Sequence, residues 1–299
     1  MQIISIVIAT YNNEHSIVNT LMSIKRQTSD LWECVIIDDC STDGTVATVR
    51  AEIAGYQRFR LFENRTVKGV GYCRNLGVDH CLGDYLVFLE PGNFLYNTCI
   101  EKRSYFIKGW SNIDVLVSHT TLFKDQVDHV IGSINHSLIE TNYHDLINSL
   151  IRCCQIWTMS SVTWEKRFLL KIGKWSTKFE SFSEMDLYIR GLLERPKLHF
   201  TKIEDSLMKI ETSKSDVLQE IRELTMLLNI YFEVINRFSN GRTVQDIYNA
   251  SFMFLIKNIL RLILSNEIEL GEGDKQLLFS ILEKITDEEG VLQVRAILQ

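Results

Sequence analysis

Two adjacent carboxylates, Asp38 and Asp39, follow directly on the apolar run Val35-Ile36-Ile37 and precede a Ser41-Thr42-Asp43-Gly44-Thr45 turn. A short, wholly apolar run of β-branched residues marks a buried parallel strand, because helices cover both faces of such a sheet. Acidic groups at the end of that strand lie at the carboxyl edge, where open α/β sheets bind their ligands. An acidic, solvated turn without a ligand is the other reading of the same residues. Ser41 or Asp43 is placed to cap a helix that starts near Gly44. A second stretch, Gly69-Val70-Gly71-Tyr72-Cys73-Arg74-Asn75, sets a basic residue at a helix entry. A guanidinium there neutralises phosphate charge or makes a surface salt bridge. It is not a dinucleotide fingerprint, since the third glycine is absent and Arg74 stands in its place.

The elements that must position these groups alternate between strand and helix. Ile3 to Ala9 reads as a buried strand, and Ile17, Leu21 and Ile24 recur at near-helical spacing up to Gln27. Cys34 to Ile37 is the next strand, followed by a helix from about Thr45 to Ile53. Arg60 to Phe62, Tyr85 to Leu89 and Val115 to Ser118 are further strands, with a helix ending near Leu82-Gly83 between the first two. That alternation predicts a doubly wound, parallel α/β sheet. Beyond about Thr212 the pattern becomes helical: Leu218, Ile221, Leu224, Leu228, Tyr231 and Ile235 mark one long amphipathic helix. Thr243 is placed to cap a second, running to about Leu264, and shorter helices are expected over 274–285 and 287–298. The expected division is therefore an α/β domain over residues 1–211 and a helical region over 212–299. The apolar, basic stretch from Ser251 to Leu264 fits burial in its own bundle, a contact between copies of the chain, or a membrane surface.

Composition narrows the function classes. The 299 residues are 45% hydrophobic, ample for a sizeable core, and carry a formal net charge of −6, which argues against a general nucleic-acid binder. Seven scattered cysteines without C-x-x-C spacing fit a reducing compartment and no zinc site or disulfide framework. The first residues lack a basic, cleavable leader, and no run of 18 uncharged apolar residues is present, so a cytoplasmic location is the expectation.

Five ordered pieces resemble the family 2 glycosyltransferases, which have the GT-A fold. Ser5 to Asn12 resembles the family's opening strand and loop, and Val35 to Thr45 its Asp-Asp-x-Ser-x-Asp-Gly-Thr signature. Gly69 to Gly77 resembles the Ala-Arg-Asn-x-Gly helix entry, with Cys73 in place of Ala. Gly83 to Leu89 resembles the strand leading to the metal motif, and Glu184 to Arg190 the helix that carries the base. The resemblance covers roughly residues 3 to 210. It implies a GT-A-like doubly wound, mostly parallel sheet flanked by helices, with a C-terminal all-helical appendage. It also implies an inverting transfer from a nucleotide-sugar, expected to be a UDP-sugar, to a saccharide or glycoprotein acceptor. Thr10, Tyr11, Asp38, Asp39, Arg74 and Asn75 would bind the donor: Tyr11 stacks on the base, Asp39 accepts from the base, and Arg74 meets the diphosphate.

Two departures from the family pattern are visible. Where the family holds Mn²⁺ or Mg²⁺ with an Asp-x-Asp-Asp-like group, this chain has Glu90-Pro91-Gly92-Asn93, so Glu90 and Asn93 are the remaining metal-ligand candidates and weak binding is expected. His199 is a conceivable extra ligand, with a structural role the stronger expectation. At the base, Ser183 and Glu184 occupy the family's Glu-Asp positions, which makes Glu184 the expected base and Asp186 its backup; Lys68 or Lys178 would supply charge in place of a metal. The alternatives are a silent GT-A relative that binds a nucleotide or a partner glycosyltransferase as a scaffold, and a different nucleotide-binding enzyme. A homo-oligomer formed through the C-terminal helices is expected.

Overall fold

The computed structural model describes residues 2–110, 112–124, 129–134, 142–152 and 156–210, and beyond these 218–219, 221–228, 256–261, 263, 270–285, 291 and 294–295. In chain order the elements are β1 (Ile4–Thr10), α1 (Ile17–Lys25), β2 (Trp32–Asp38), α2 (Thr45–Ile53), β3 (Phe59–Glu63), α3 (Val70–His80), β4 (Tyr85–Phe88), β5 (Phe94–Leu95) and α4 (Cys99–Gly109). They continue with β6 (Val115–Phe123), β7 (Val130–Ile134), α5 (Tyr143–Ile151), a 3₁₀ turn (Met159–Ser161), β8 (Val162–Glu165), α6 (Lys166–Lys171), α7 (Ser183–Leu193), β9 (Leu198–Lys209) and α8 (Glu272–Ile285).

Among the described residues, nine strands form one sheet in the order β3-β2-β1-β4-β8-β6-β9-β5, with β7 added to β6. The strands β3, β2, β1 and β4 are mutually parallel, as the alternation of strand and helix requires. From β8 onward the sheet is mixed: β8 runs antiparallel to both β4 and β6, whereas β6 and β9 are parallel. The strand expected at Val115 to Ser118 extends to Phe123, because its second half pairs with β7. All seven residues of β2 are buried, and Ile6, Ile8, Leu21, Ile24, Ile36 and Val87 are wholly excluded from water. Continuous burial explains why these strands read as unbroken apolar runs.

A buried ion pair ties the second half of the sheet together. Arg103 on α4 forks onto both carboxylate oxygens of Asp205 on β9 at 2.7 and 2.6 Å, and also donates to Thr163 on β8 and to the Ser160 carbonyl. Neither charged side chain is more than 1% exposed. Full hydrogen bonding is what allows such a pair to be tolerated in an apolar interior.

The chain divides into two compact units, one over residues 1–143 and 155–212, the other over 144–154 and 213–299. The first contains the whole sheet. In the second, residues 221–228, 256–261 and α8 are helical, and Arg222 on the first of these stretches pairs with Asp274 at 3.1 Å. The expected cap at Thr243 and most of the expected 287–298 helix lie outside the described residues. No helix among the described residues is long and apolar enough to cross a membrane.

Candidate active site

The chain builds β1, β2 and β3 in one direction and then places β4 on the other side of β1. A crevice opens at the carboxyl ends of strands where the order reverses in this way. A cavity of about 620 Å³ lies there, lined by Val7, Ala9, Thr10 and Tyr11 from β1 and its loop, and by Phe88, Leu89 and Glu90 at the end of β4. Asp39, Arg74, Cys73, Asn93, Met159, Glu180 and Lys209 complete much of its wall.

The two adjacent carboxylates do different things. Asp38 closes its own turn: its Oδ2 accepts from the Ser41 backbone N–H at 2.9 Å and its Oδ1 from the Ser41 hydroxyl at 2.5 Å. It is 1% exposed and does not line the cavity, so it shapes the loop rather than presenting an acceptor. Asp39 does line the cavity. Its oxygens accept from Asn64 Nδ2 and the backbone N–H groups of Lys68 and Gly69, at 2.8, 2.9 and 2.8 Å. Burial by itself would raise its pKa, but these hydrogen bonds win and hold it below the usual carboxylate value. Asp39 is therefore an ionised acceptor that also pins the loop over residues 64–69.

The loops after β1 and β2 are stitched face to face. Asn12, at φ +52°, accepts from the Thr42 backbone N–H and donates its own N–H to the Ser41 hydroxyl. Thr10 donates its hydroxyl to the Asn13 amide oxygen, and Thr45 accepts from the Asn13 N–H. This stitching leaves the Tyr11 ring 47% exposed at the mouth of the cavity, where a flat base can stack.

Helix α3 lies directly on β1, because Gly77 has no side chain: a Cβ there would come within 2.4 Å of Val7 Cγ1. At Gly71 a Cβ would come within 2.6 Å of the Ser176 carbonyl oxygen, so the segment carrying Trp175 is pressed against the same helix. Asn75 exchanges two hydrogen bonds with the Trp175 backbone at 2.8 and 2.9 Å. Both ends of its amide are occupied and it is absent from the cavity wall. Asn75 is thus a clamp for Trp175 rather than a donor-binding group. The Trp175 ring lies under the Arg74 guanidinium at 4.2 Å and meets Phe88 edge-on. Arg74 also donates to Ser183 Oγ at 3.2 Å and pairs with Glu90 at 3.1 Å. Only 5% exposed, it projects one firmly held cation into the cavity wall.

The residues at the expected metal position do not fit a hard cation. Glu90 Oε1 is paired with Arg74, and its Oε2 faces the Asn93 amide nitrogen at 3.4 Å. The Asn93 amide oxygen accepts from the Lys209 backbone N–H at 2.9 Å, and Gly92 has no ligand to offer. Mn²⁺ and Mg²⁺ require several oxygen ligands. Among the described residues no group of three His, Cys, Asp or Glu side chains converges on a common point. The His199 ring lies tilted against Trp110 at 4.2 Å and is absent from the cavity wall, and burial lowers its pKa.

On α7 the acids again part ways. Glu184 is partly buried and accepts from the Tyr188 hydroxyl at 3.2 Å. Burial and the nearby Glu90 charge push its pKa up to about 7, with Arg74 and Tyr188 opposing them. It neighbours the Arg74–Glu90 pair without lining the cavity itself. Asp186, expected as a backup base, is 3% exposed and bound to Arg190 on the next turn. Arg190 in turn reaches the carbonyls of Ile172 and Lys174, so Asp186 anchors that loop through Arg190.

Lys68 contributes its backbone N–H to Asp39, Lys178 is exposed, and neither lines the cavity. Glu180 and Lys209 do, although nothing in their sequence surroundings singles them out. They come from segments more than 85 residues beyond Glu90, and only folding brings them to the crevice.

Residues 5–108 match the Glycosyl transferase family 2 profile. The chain is 25% identical to an uncharacterized glycosyltransferase of Haemophilus influenzae, over 87% of this chain and 85% of that protein. It is 28% identical to the Escherichia coli UDP-Glc:alpha-D-GlcNAc-diphosphoundecaprenol beta-1,3-glucosyltransferase WfaP, over 52% of this chain and 58% of WfaP. Among solved structures, S. aureus TarS 1-349 in complex with UDP-GlcNAc superposes with a TM-score of 0.70 at 15% identity, covering 99% of this chain and 88% of that one. Cavity, signature segments and relatives agree: residues 5–108 are similar to the family 2 glycosyltransferases, and the chain has a GT-A-type fold.

Proposed function

We propose that the protein moves a sugar from a UDP-sugar to a saccharide acceptor, free or carried on a lipid or glycoprotein, with inversion at the anomeric carbon. One observation carries this reading: a single cavity presents an ionised acceptor, Asp39, and a buried cation, Arg74, beside the exposed ring of Tyr11. That set matches the base and diphosphate of a nucleotide-sugar. The names of WfaP and of the TarS complex, UDP-Glc and UDP-GlcNAc, support uridine as the base.

In the reaction, the acceptor oxygen bonds to the anomeric carbon while the bond from that carbon to the diphosphate oxygen breaks. UDP leaves with the bonding electrons, and the acceptor proton passes through one water to Glu184, which lies beside the Arg74–Glu90 pair at the cavity wall. Arg74 stabilises the charge that grows on the leaving diphosphate. With the donor set at Glu90 and Asn93 broken, metal dependence is weakened. A cytoplasmic location and a homo-oligomer formed through the C-terminal helices belong to the same reading.

The test is UDP release from a panel of UDP-sugars, with and without saccharide acceptors, in wild type and Glu184→Gln. Acceptor-stimulated release that falls at least about 100-fold in the variant is the expected result, in line with the contribution of a general base. Equal rates in the two proteins would remove Glu184 from the mechanism. UDP binding without release from any donor would favour a nucleotide-binding scaffold.

A further inference from the structure

We infer that Arg74 itself takes the place of the divalent cation at the diphosphate, and that Glu90 is the partner of this arginine rather than a metal ligand. The inference rests on the reading of the cavity as a nucleotide-diphosphate site. Glu90 and Asn93 each already have a partner. The Asn93 amide cannot turn its oxygen toward a cation without setting its NH₂ group against the Lys209 N–H, two donors facing each other. The Glu90 carboxylate gives Oε1 to the guanidinium and leaves only Oε2, 3.4 Å from the Asn93 amide nitrogen, so the position offers a cation one oxygen where several are needed.

Arg74 has what a replacement cation needs. It is held by the Trp175 ring at 4.2 Å, by Ser183 at 3.2 Å and by Glu90 at 3.1 Å, on a helix that two close-packed glycines fix against β1 and the Ser176 segment. A guanidinium carries five N–H donors in a rigid fork that matches phosphate oxygens. Two of its nitrogens, Nη1 and Nη2, each have one protein partner, which leaves donors for a ligand in the cavity that Arg74 lines. Because the side chain is already ordered, little rotamer freedom is lost when the anion arrives. The bond to Glu90 keeps the cation neutralised until then.

Calorimetric titration with UDP, in chelator and in Mn²⁺, tests the assignment. The affinity is expected to differ by less than about tenfold between the two conditions. Arg74→Met is expected to weaken UDP binding in chelator by roughly 10- to 100-fold, the loss of hydrogen bonds to a charged group. Circular dichroism and thermal melting of each variant separate lost contacts from lost folding, and Arg74→Lys, which retains a charge, should recover part of the affinity. Glu90→Gln gives an opposite sign for the two assignments. As the partner of Arg74, Glu90 repels the incoming diphosphate, so the glutamine variant should bind UDP in chelator as tightly as wild type or more tightly. A metal ligand at Glu90 would instead give a Mn²⁺-supported affinity that collapses in Glu90→Gln, with folded Arg74→Met binding as wild type, and that result overturns the inference while leaving the nucleotide site intact. Wild type that binds no UDP in either condition would defeat the nucleotide reading and this assignment together.

Discussion

Tyr188 donates its hydroxyl to Glu184 Oε2, 3.2 Å away and one turn earlier on α7. The ring is held in place by Trp157, edge-on at 5.3 Å, and by Trp164, stacked at 6.1 Å, so the hydroxyl has little freedom to leave the carboxylate. Four influences meet at Glu184. Burial and Glu90 favour its protonated form, while Arg74 and Tyr188 favour the carboxylate.

Tyr188→Phe removes one of the two influences that keep Glu184 ionised. The acid limb of the pH–rate profile, expected near pH 7 in wild type, should move upward by about one unit in the variant, as a hydrogen bond to a charged group is worth. Rates at pH 6 would then fall more than rates at pH 9. A limb that stays in place while Glu184→Gln abolishes turnover would show that the Tyr188 hydroxyl does not tune the base.

Stability should follow the same titration. The folded state holds the Glu184 proton more tightly than the unfolded chain, whose value is the ordinary 4.5. The resulting stabilisation is complete below pH 4.5 and is lost as the pH rises through about 7. Glu184→Gln, which cannot ionise, should therefore melt at a higher temperature than wild type at pH 8. An equal or lower Tm at pH 8 would contradict the burial of an ionised group there.

Asp39→Asn should weaken UDP binding by roughly 10- to 100-fold, since one amide oxygen cannot replace a carboxylate that accepts from Asn64, Lys68 and Gly69. Because those bonds keep Asp39 below the usual carboxylate range, it stays ionised through neutral pH and should add no titration of its own between about pH 5 and 8. Calorimetry across that range would detect a departure.

The Arg103–Asp205 pair should be costly to break. Asp205→Ala leaves a buried guanidinium without its counter-charge, and unfolding in denaturant is expected to show a loss of about 3–5 kcal/mol. A loss below about 1 kcal/mol would match a solvent-exposed pair instead.

Gly77→Ala forces a methyl group onto Val7, where α3 and β1 touch. Overpacking of this kind costs about 1–3 kcal/mol. Displacement of α3 also moves Arg74, so UDP affinity should fall along with Tm. A variant that loses Tm but binds UDP as wild type would show that Arg74 tolerates a shift of its helix.

What the sequence determined by itself is local and periodic. The runs Ile3 to Ala9 and Cys34 to Ile37 read as buried parallel strands because helices cover both their faces, and the strands span Ile4–Thr10 and Trp32–Asp38. Helix α2 spans Thr45–Ile53 as expected, although Gly44 stands at its N-cap without a side-chain cap bond, rather than the expected Ser41 or Asp43. The Asp-Asp turn marks the carboxyl edge of the sheet and the Gly-x-Gly stretch marks a helix entry, because short motifs follow directly from the chain. The division of labour within each motif was decided only by the tertiary structure. Asp38 and Asp39 are adjacent, yet one closes its own turn and the other faces the cavity, because successive residues leave a strand in opposite directions. Asn75 and Asp186 carry the right chemistry but bind the Trp175 backbone and Arg190, and neither partner can be inferred from local spacing. The pairing of Glu90 with Arg74, and the arrival of Glu180 and Lys209 at the crevice, required the sheet to close over long separations in the chain. Side-chain partners of that kind are settled by packing, which a local pattern does not encode.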